Sequence, residues 1–150
     1  MSGQSCIFCK IAKGEVSAHK IYEDKEFLAF LDINPNVYGM TILVTKEHYP
    51  SYLFGVAEDV YERMMETARK VARLLDEKLD VQRTAMVMEG MGINHAHIKL
   101  YPLHGLDENF QEMWSEDRVY FDKYPGYVTT KLGPEAEQDE LETLAEKIRD

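Results

Sequence analysis

The sequence predicts an α+β fold, in which short strands form a sheet and one long helix packs against it. Two observations carry this expectation: apolar stretches rich in β-branched or aromatic residues recur along the first hundred residues, and one longer segment among them has apolar residues at helical spacing. A shorter segment with the same spacing lies near the C-terminus. The 150 residues contain no internal repeat, low-complexity tract or interdomain linker, so we expect a single domain.

The strands are predicted in chain order. Residues 20–31 form two short apolar stretches around a polar centre, which indicates a hairpin. After a turn rich in Asn, Pro and Gly, residues 40–45 are β-branched and apolar enough for a central strand. Residues 83–89 predict a further strand, and a Gly-Met-Gly turn follows. Residues 95–102 alternate strictly and must end at Pro102 if this strand lies inside a sheet.

Two helices are predicted. Residues 57–79 carry apolar side chains at helical spacing, with two acidic residues at the start and Lys78 at the end, as the helix dipole favours. Residues 135–149 predict a short amphipathic helix whose polar face is acidic and solvated. The segment between residue 105 and this helix is rich in aromatic side chains, which we expect to pack in a core, although they could also cover a ligand pocket or a dimer face: Trp114, Tyr120, Phe121, Tyr124 and Tyr127.

The charge of the chain restricts its partners. The formal net charge is −10, from 17 Lys+Arg and 27 Asp+Glu. A chain of this charge repels phosphate polymers and anionic lipid at long range, so binding to bulk nucleic acid or to membrane surfaces is not expected. A small anionic ligand in a local pocket remains compatible with it, because salt screens the long-range field within about 8–10 Å.

The N-terminus and the cysteines indicate the compartment. The chain has no basic stretch followed by an apolar core of the signal-peptide type and no apolar run long enough to span a bilayer, so we expect a cytoplasmic protein. Its two cysteines, Cys6 and Cys9, form a C-x-x-C pair. In a reducing compartment such a pair can bind a metal, act as a redox pair or consist of two inert buried thiols.

Three polar side chains share one face of the last predicted strand. Because side chains alternate along a strand, His95, His97 and Lys99 point to one side and the apolar residues between them to the other. Taken alone, this pattern is also typical of a half-exposed edge strand whose titratable residues lie in water.

The residues around these histidines resemble the active-site strand of the histidine-triad (HIT) family, whose pattern is His-φ-His-φ-His-φ-φ, commonly followed by proline. The resemblance extends upstream in matching order and spacing, through the C-x-x-C segment, Ile21-Tyr22-Glu23-Asp24, the segment 28–35 and Lys46-Glu47-His48. It covers about residues 6–103, which would be the core, and leaves about 104–150 as a C-terminal extension.

The resemblance implies a HIT-like α+β fold with an antiparallel sheet of about five or six strands, one long helix and a C-terminal helical extension, assembled as a homodimer. It also implies a nucleotide or nucleotide conjugate as ligand. The middle histidine of the motif, His97, would attack the α-phosphorus and form a covalent nucleotidyl-histidine. A neutral imidazole is a competent nucleophile near neutral pH, and its phosphorus–nitrogen bond is labile enough to turn over.

Several positions depart from the family pattern. Lys99 replaces the third histidine; it could hold a phosphate oxygen during transfer, or it could be a solvated lysine. Met40 and Met88 stand where the family commonly has histidine and asparagine. The loop 91–94 lacks the usual Gly-Gln-Ser/Thr segment, and Asn94 is the substitute donor that the sequence offers.

The remaining site residues also follow from the resemblance. Nucleotide contacts would come from Asp32 and Ile33, in addition to Asn94, His97 and Lys99. The carboxylate of Asp32 stands where the family binds ribose hydroxyls, although as a bare sequence feature it could equally cap the Asn34-Pro35 turn.

A structural zinc site is the cofactor implied by the resemblance. Members of the cysteine-containing type complete the site with two histidines, and the matching residues here are His48 and His95 beside Cys6 and Cys9. A Cys2His2 set suits tetrahedral Zn²⁺ in a closed structural site. His19 is a competing fourth ligand.

The sequence thus predicts a nucleotidyl hydrolase or transferase, of the phosphoramidate or dinucleoside polyphosphate type, that works through His97 with Lys99. Two alternatives remain open: a nucleotide-binding or regulatory protein that keeps the fold without efficient turnover, and a zinc-stabilised interaction module.

Overall fold

The structure, a computed structural model, describes residues 5–110 and 116–149. The chain divides into two compact units, Met1–Phe110 and Gln111–Asp150. No helix within the described residues is both long and apolar enough to cross a membrane. The expectation of a single domain with an extension from about residue 104 stays a prediction.

The first unit is a five-stranded antiparallel sheet with helices on both faces, as the predicted α+β fold requires. The strand order is β1-β2-β3-β5-β4. In chain order the elements are α1 (Ile7–Ala12), β1 (Lys20–Glu23), β2 (Phe27–Leu31), β3 (Thr41–Thr45), a 3₁₀ turn (Leu53–Gly55), α2 (Glu58–Leu79), β4 (Thr84–Val87) and β5 (His97–Pro102).

The strand that carries the histidine motif lies inside the sheet. β5 pairs with β3 on one side, where His97 is opposite Val44, and with β4 on the other, where Lys99 is opposite Val87. The interpretation of this segment as a half-exposed edge strand is therefore wrong. The predicted start at residue 95 is also wrong, because β5 begins at His97.

The residues just before β5 follow a different course from the sheet. The backbone N–H of Ala96 donates to the carbonyl of Tyr49 at 2.8 Å rather than to a neighbouring strand. His95 is fully buried, and its ring makes contacts outside the sheet ladder. The alternation seen in the sequence thus extends two residues beyond the strand.

One face of the sheet packs against the long helix. α2 begins and ends within a residue of its predicted bounds, and its C-cap, Asp80, adopts a left-handed conformation with φ +51°. The face is apolar because alternate residues of β2, β3 and β5 point towards the helix. This α2-side core contains Phe27, Ala29, Leu43, Leu53, Met64, Ala68, Val71, Leu75, Ala96, Ile98 and Leu100.

The other face is only partly covered, by the short helix α1. The intervening residues of β2 and β3 form a second cluster with this helix, called here the α1-side core: Cys6, Phe8, Cys9, Ile11, Leu28, Phe30, Ile42 and Val44. His97 and Lys99 point to this same face, because they alternate with Ile98 and Leu100 on β5. α1 therefore lies on the same side of the sheet as the predicted nucleophile.

The loop that precedes β5 is held against residue Ser51. Gly90 has φ +71°, and a Cβ atom there would lie 2.8 Å from the carbonyl oxygen of Ser51. The N–H of Ser51 donates to Oδ1 of Asn94 at 3.0 Å, so both ends of this loop contact the same residue. Gly90 is thus required for its conformation and for the close approach of two backbone segments.

We expect Gly90→Ala to lower the free energy of unfolding more than Gly14→Ala does. Gly14 has φ +77° with no heavy atom within 4 Å of its missing Cβ, so its substitution tests the backbone conformation alone, at about 1 kcal/mol. Gly90→Ala adds a collision with backbone, for a total of about 2–3 kcal/mol. Denaturant titration of the two variants measures the difference, and equal losses would show that the loop is not packed against Ser51.

The second unit contains helix α3 (Gln138–Arg149), close to the predicted range 135–149. Within this unit the N–H of Val119 donates to the carbonyl of Leu132 at 3.0 Å. The prediction that the aromatic side chains of this region form a core is wrong within this chain. Tyr120, Phe121, Tyr124 and Tyr127 are all exposed. Trp114, which belonged to the same prediction, lies outside the described residues.

Candidate active site and metal centre

The candidate nucleophile His97 is held in one tautomer. Its Nδ1 lies 2.6 Å from the carbonyl oxygen of His95. A carbonyl can only accept a hydrogen bond, so Nδ1 carries the proton and Nε2 keeps its lone pair. The atom that would attack phosphorus is therefore Nε2.

His97 is also kept neutral. Burial lowers the pKa of His97 because it disfavours the charged imidazolium, and the nearby positive charge of Lys99 lowers it further. The hydrogen bond to His95 and the charge of Glu89 act in the opposite direction, but the net shift is downward. A neutral imidazole at physiological pH is the nucleophilic form.

Lys99 is half-buried on the same face as His97. Its ammonium makes no ion pair with a carboxylate in the part of the chain that the structure describes. A half-buried charge without an ion pair costs stability, so its presence here points to a role other than stabilising the fold. This arrangement favours the interpretation of Lys99 as a phosphate-binding residue over that of a solvated lysine.

A row of three residues crosses the sheet beyond Lys99, on the face of His97: Asp32, Met40 and Tyr101. The N–H of Asp32 donates to the carbonyl of Met40 at 2.9 Å, which continues the β2–β3 ladder. Tyr101 follows Lys99 by two residues on β5, next to the end of β3. Burial, followed by the negative charges of Asp32 and Glu89, raises the pKa of the Tyr101 phenol.

Asp32 fits both interpretations that its sequence position allowed. Its Oδ1 accepts the N–H of Asn34 at 2.7 Å and so caps the turn. Its other carboxylate oxygen has no hydrogen bond within residues 5–110 and 116–149, which leaves one acceptor for a ligand. Ile33 is 84% exposed, so its side chain is accessible beside this carboxylate.

The side chain of Asn94 is partly used within the protein. Its side-chain oxygen accepts the N–H of Ser51, and its amide nitrogen remains a donor for a ligand. Asn94 is exposed and lies three residues before His97.

The predicted metal ligands meet at one point. Nδ1 of His95 lies 3.3 Å from Sγ of Cys6 and 3.4 Å from Sγ of Cys9. Nδ1 of His48 lies 3.3 Å from Sγ of Cys9 and 3.2 Å from Nδ1 of His95. All four ligand atoms lie within 4.8 Å of one another, and His19 is exposed and outside the group.

The geometry fits a tetrahedral ion. Zinc–sulfur bonds of about 2.3 Å and zinc–nitrogen bonds of about 2.0–2.1 Å place neighbouring tetrahedral ligands about 3.3–3.8 Å apart. Nε2 of His95 lies 2.7 Å from the carbonyl oxygen of Thr45, and this bond fixes the proton on Nε2. The lone pair of Nδ1 therefore points at the two sulfurs, as a metal ligand requires.

The convergence of four donor atoms favours a metal over two inert thiols. Cys6 and Cys9 are free cysteines and buried. Burial, together with the neighbouring Cys6, raises the pKa of the Cys9 thiol, so a thiolate needs a local cation. Two ring nitrogens facing two sulfurs give four converging donors of the kind that Zn²⁺ prefers.

Comparison with known proteins decides the family. Residues 13–105 match the family model described as HIT domain. The chain belongs to the HIT family. It is 36% identical, over 65% of its length and 78% of the relative's, to the uncharacterized HIT-like protein MJ0866 of Methanocaldococcus jannaschii. It is 29% identical to adenosine 5'-monophosphoramidase HNT1 of Candida albicans, over 95% of this chain and 99% of that protein.

The fold agrees with solved structures, including that of a member of the HIT family of proteins from Bacillus subtilis, which superposes with a TM-score of 0.66 and 23% sequence identity, covering 97% of this chain and 95% of that one. The crystal structure of SMU.412c from Streptococcus mutans UA159 superposes with a TM-score of 0.70 and 28% sequence identity, covering 99% of this chain and 87% of that one. The HIT-like α+β fold predicted from the sequence is thus confirmed.

Two departures from the HIT pattern, Met40 and Met88, lie on opposite faces of the sheet. Met40 is buried directly before β3, in the row beyond Lys99. Met88 packs against the α2-side core, on the opposite side of the sheet. Of these two substitutions, the structure therefore places the one at Met40 on the face of the candidate site.

Three residues near His97 were missed by the sequence interpretation. The charge of Glu89 acts on His97, Tyr101 lies on the same face of β5, and Phe8 contacts the His97 ring with centroids 5.2 Å apart. The alternation along β5 could have indicated Tyr101, two residues after Lys99. Nothing local in the sequence indicates the contact of Phe8, since 89 positions separate it from His97.

Proposed function

We propose that this HIT protein is a nucleotidyl hydrolase or transferase that acts at the α-phosphorus of a nucleotide conjugate through a covalent intermediate on His97. The observation that carries the proposal is the state of His97: buried, neutral and held by its Nδ1 proton so that Nε2 is the reactive atom. The similarity to adenosine 5'-monophosphoramidase HNT1 supports a nucleotide substrate.

The reaction proceeds in two displacements at phosphorus. In the first, the lone pair of His97 Nε2 forms a bond to the α-phosphorus, and the bond to the leaving group breaks with its electron pair. The imidazole then carries a positive charge, which the hydrogen bond from Nδ1 to the His95 carbonyl stabilises. In the second, water or another acceptor hydroxyl attacks phosphorus, the phosphorus–nitrogen bond breaks, and the acceptor's proton leaves to solvent.

Lys99 supplies positive charge to the phosphate oxygens. It lies two residues from His97 on the same face of β5, and it forms no direct ion pair with a carboxylate within the described residues. The developing negative charge on the non-bridging oxygens is then stabilised by an ammonium that is already in place. Asp32 and Ile33 would contact the sugar and base, and the amide nitrogen of Asn94 would donate to the phosphate or the leaving group.

The metal in this proposal is a structural Zn²⁺ held by Cys6, Cys9, His48 and His95. When bound, the ion would link helix α1 to the segments before β5 and after β3, and it would take no part in the transfer because its four positions are filled by protein. His95 would then serve as a ligand through its ring and as the hydrogen-bond acceptor of His97 through its carbonyl.

Two predictions about the surroundings of the chain belong to the same proposal. We propose that the protein is cytoplasmic and forms a homodimer, with a small nucleotide ligand as its partner and neither bulk nucleic acid nor membrane.

The test of the activity is release of a nucleoside monophosphate. The protein is incubated with nucleoside phosphoramidates, dinucleoside polyphosphates and sugar nucleotides, and products are separated by anion-exchange chromatography. Release from at least one class supports the proposal. Binding of these compounds without product would instead support a nucleotide-binding or regulatory protein.

We expect Lys99→Met to lower kcat/KM by about 10- to 100-fold, because the substitution removes the phosphate-facing charge while keeping a long side chain. The melting temperature should stay unchanged or rise, since a half-buried charge without a partner is lost. Lys25→Met, at an exposed lysine in the β1–β2 turn, is the matched control and should leave both values unchanged. Wild-type kinetics for Lys99→Met would mean that this lysine is only solvated.

A further inference from the structure

Tyr101 presents a phenol group that has no hydrogen-bond partner within residues 5–110 and 116–149. It lies on β5 four residues after His97, on the same face of the sheet. No side-chain oxygen or nitrogen of the described residues is both buried and without a partner, so the phenol oxygen is open to solvent. Its neighbour on β4 is Ala85, which is exposed and too small to cover the ring. The phenol can therefore reach a ligand.

This phenol stands across the sheet from the Asp32 carboxylate, with Met40 between them. Leu100 of β5 pairs with Thr41 of β3, so the next residues outward, Tyr101 and Met40, are neighbours as well. On the other side, the N–H of Asp32 donates to the carbonyl of Met40 at 2.9 Å. Two strand spacings, about 9–10 Å, therefore separate the backbones of Asp32 and Tyr101. The two polar side chains flank an apolar strip, because Met40 is buried.

The polar group of this row lies on a different strand from that of the HIT pattern. In that pattern histidine commonly stands at the position of Met40, and a hydrophobic residue ends the motif at the position of Tyr101. Here a thioether replaces the histidine, and tyrosine adds a hydroxyl to the hydrophobic position. The row therefore keeps a second polar side chain besides Asp32, and β5 supplies it.

The position along β5 assigns the phenol to the sugar rather than to the reacting phosphate. Four residues of extended strand separate the backbones of His97 and Tyr101 by about 13 Å, which places the phenol at the far end of the site from the nucleophile. Asp32, in the same row, is the carboxylate proposed to contact the sugar. Burial and the charge of Asp32 raise the pKa of the Tyr101 phenol, so it stays protonated and can donate a hydrogen bond.

We propose that Tyr101 is a specificity-determining residue whose phenol donates a hydrogen bond to a sugar hydroxyl of the nucleotide, on the side of the sugar away from Asp32. The oxygen of Asp32 that the turn does not use accepts from a sugar hydroxyl, so the two residues bind the sugar from opposite sides above Met40. Tyr101 takes no part in making or breaking bonds at phosphorus. The inference rests on the proposed function for the identity of the ligand as a nucleotide.

Binding of ribonucleotides and deoxyribonucleotides tests this inference. Isothermal titration calorimetry gives the Kd of wild type for AMP, GMP, CMP and UMP, and for the 2′-deoxy and 3′-deoxy forms of whichever binds most tightly. We expect Tyr101→Phe to raise the Kd of the ribonucleotide by about 3- to 10-fold, the effect of one hydrogen bond between neutral groups. For the deoxy form that lacks the contacted hydroxyl, wild type and Tyr101→Phe should have the same Kd.

Tyr61→Phe is the matched control. Tyr61 is half-buried like Tyr101 but packs against the α2-side core, on the other face of the sheet, so its substitution should leave every Kd unchanged. The melting temperature of Tyr101→Phe should equal that of wild type, because the phenol has no partner in the protein to lose. An unchanged ribonucleotide Kd in Tyr101→Phe, or an equal rise for the ribonucleotide and both deoxy forms, would overturn the inference. So would a wild type that binds none of the four nucleotides.

Turnover separates this inference from the proposed function. Tyr101→Phe should raise KM by the same factor as Kd and keep kcat within about twofold of wild type, since the contact is present before and during transfer. Nucleoside monophosphate release by wild type, with the same Kd in Tyr101→Phe, would leave the proposed function standing and the inference wrong. Loss of the ribose preference in a protein that releases no product would support the inference and contradict the proposed function.

Discussion

Replacing His97 with asparagine is expected to lower turnover by more than about 1,000-fold while leaving nucleotide binding in place. The asparagine amide can still donate to the His95 carbonyl, which accepts from Nδ1 of His97 at 2.6 Å in the wild-type protein. The substitution therefore removes the nucleophilic Nε2 with little change to the backbone. Initial rates of nucleoside monophosphate release measure the loss, and the shift in melting temperature on adding nucleotide measures binding.

The control for this prediction is His104→Asn. His104 is exposed, and its Nε2 lies 2.7 Å from the carbonyl oxygen of Tyr38, outside the candidate site. It should keep wild-type rates. If His97→Asn retained more than about a tenth of the wild-type rate, a nucleophilic role for His97 would be untenable.

The second large effect is expected from opening the metal cluster. His48→Ala should release the ion and lower the free energy of unfolding by about 4 kcal/mol, the stabilisation that a ligand provides when present at about 1,000 times its Kd. His48 is the half-buried member of the cluster, so this change disturbs the core less than loss of Cys6, Cys9 or His95 would. Metal analysis of the purified protein and denaturant titration measure the two effects.

Two controls separate loss of the ion from loss of packing. His19→Ala changes an exposed histidine outside the cluster and should keep one ion per chain. A chelator should destabilise wild type and have no effect on His48→Ala. Wild-type protein that contains no metal, and whose stability a chelator does not change, would contradict the zinc assignment and leave two buried thiols.

The sequence was most informative where local patterns decide the structure. The long helix α2 has a clear apolar face and begins with acidic residues, and it was predicted to within a residue. The hairpin of β1 and β2 and the central strand β3 also follow from local composition. Helix α1 was not predicted, because six residues without a side-chain cap are too few to show a helical pattern.

The sequence proposed the members of the candidate site but not how they are connected. The resemblance to the HIT family implied the roles proposed for His97, Asp32 and the four metal ligands, and the structure brings the four ligand atoms together. What the residues alone could not show is that His95 serves two partners, with its ring at the cluster and its carbonyl at His97. Such links join distant parts of the chain, so no spacing in the sequence encodes them.

The Asp32 carboxylate shows a different limit of prediction from the sequence. Turn capping and ribose binding require the same residue type at the same position, so the sequence could not separate them. The structure assigns one oxygen to the turn, and a carboxylate has a second that can accept hydrogen bonds. The two interpretations therefore did not exclude each other.

The most direct test of the central claim is the mass of the intact protein after a rapid alkaline quench, with wild type and His97→Asn each mixed with the same nucleotide conjugates. We predict an increment of one nucleotidyl group on wild type and none on the variant. Time points from milliseconds onward, with product measured in the same samples, capture an intermediate that discharges quickly. Product formation by wild type without any increment, or an equal increment on His97→Asn, would contradict covalent catalysis by His97.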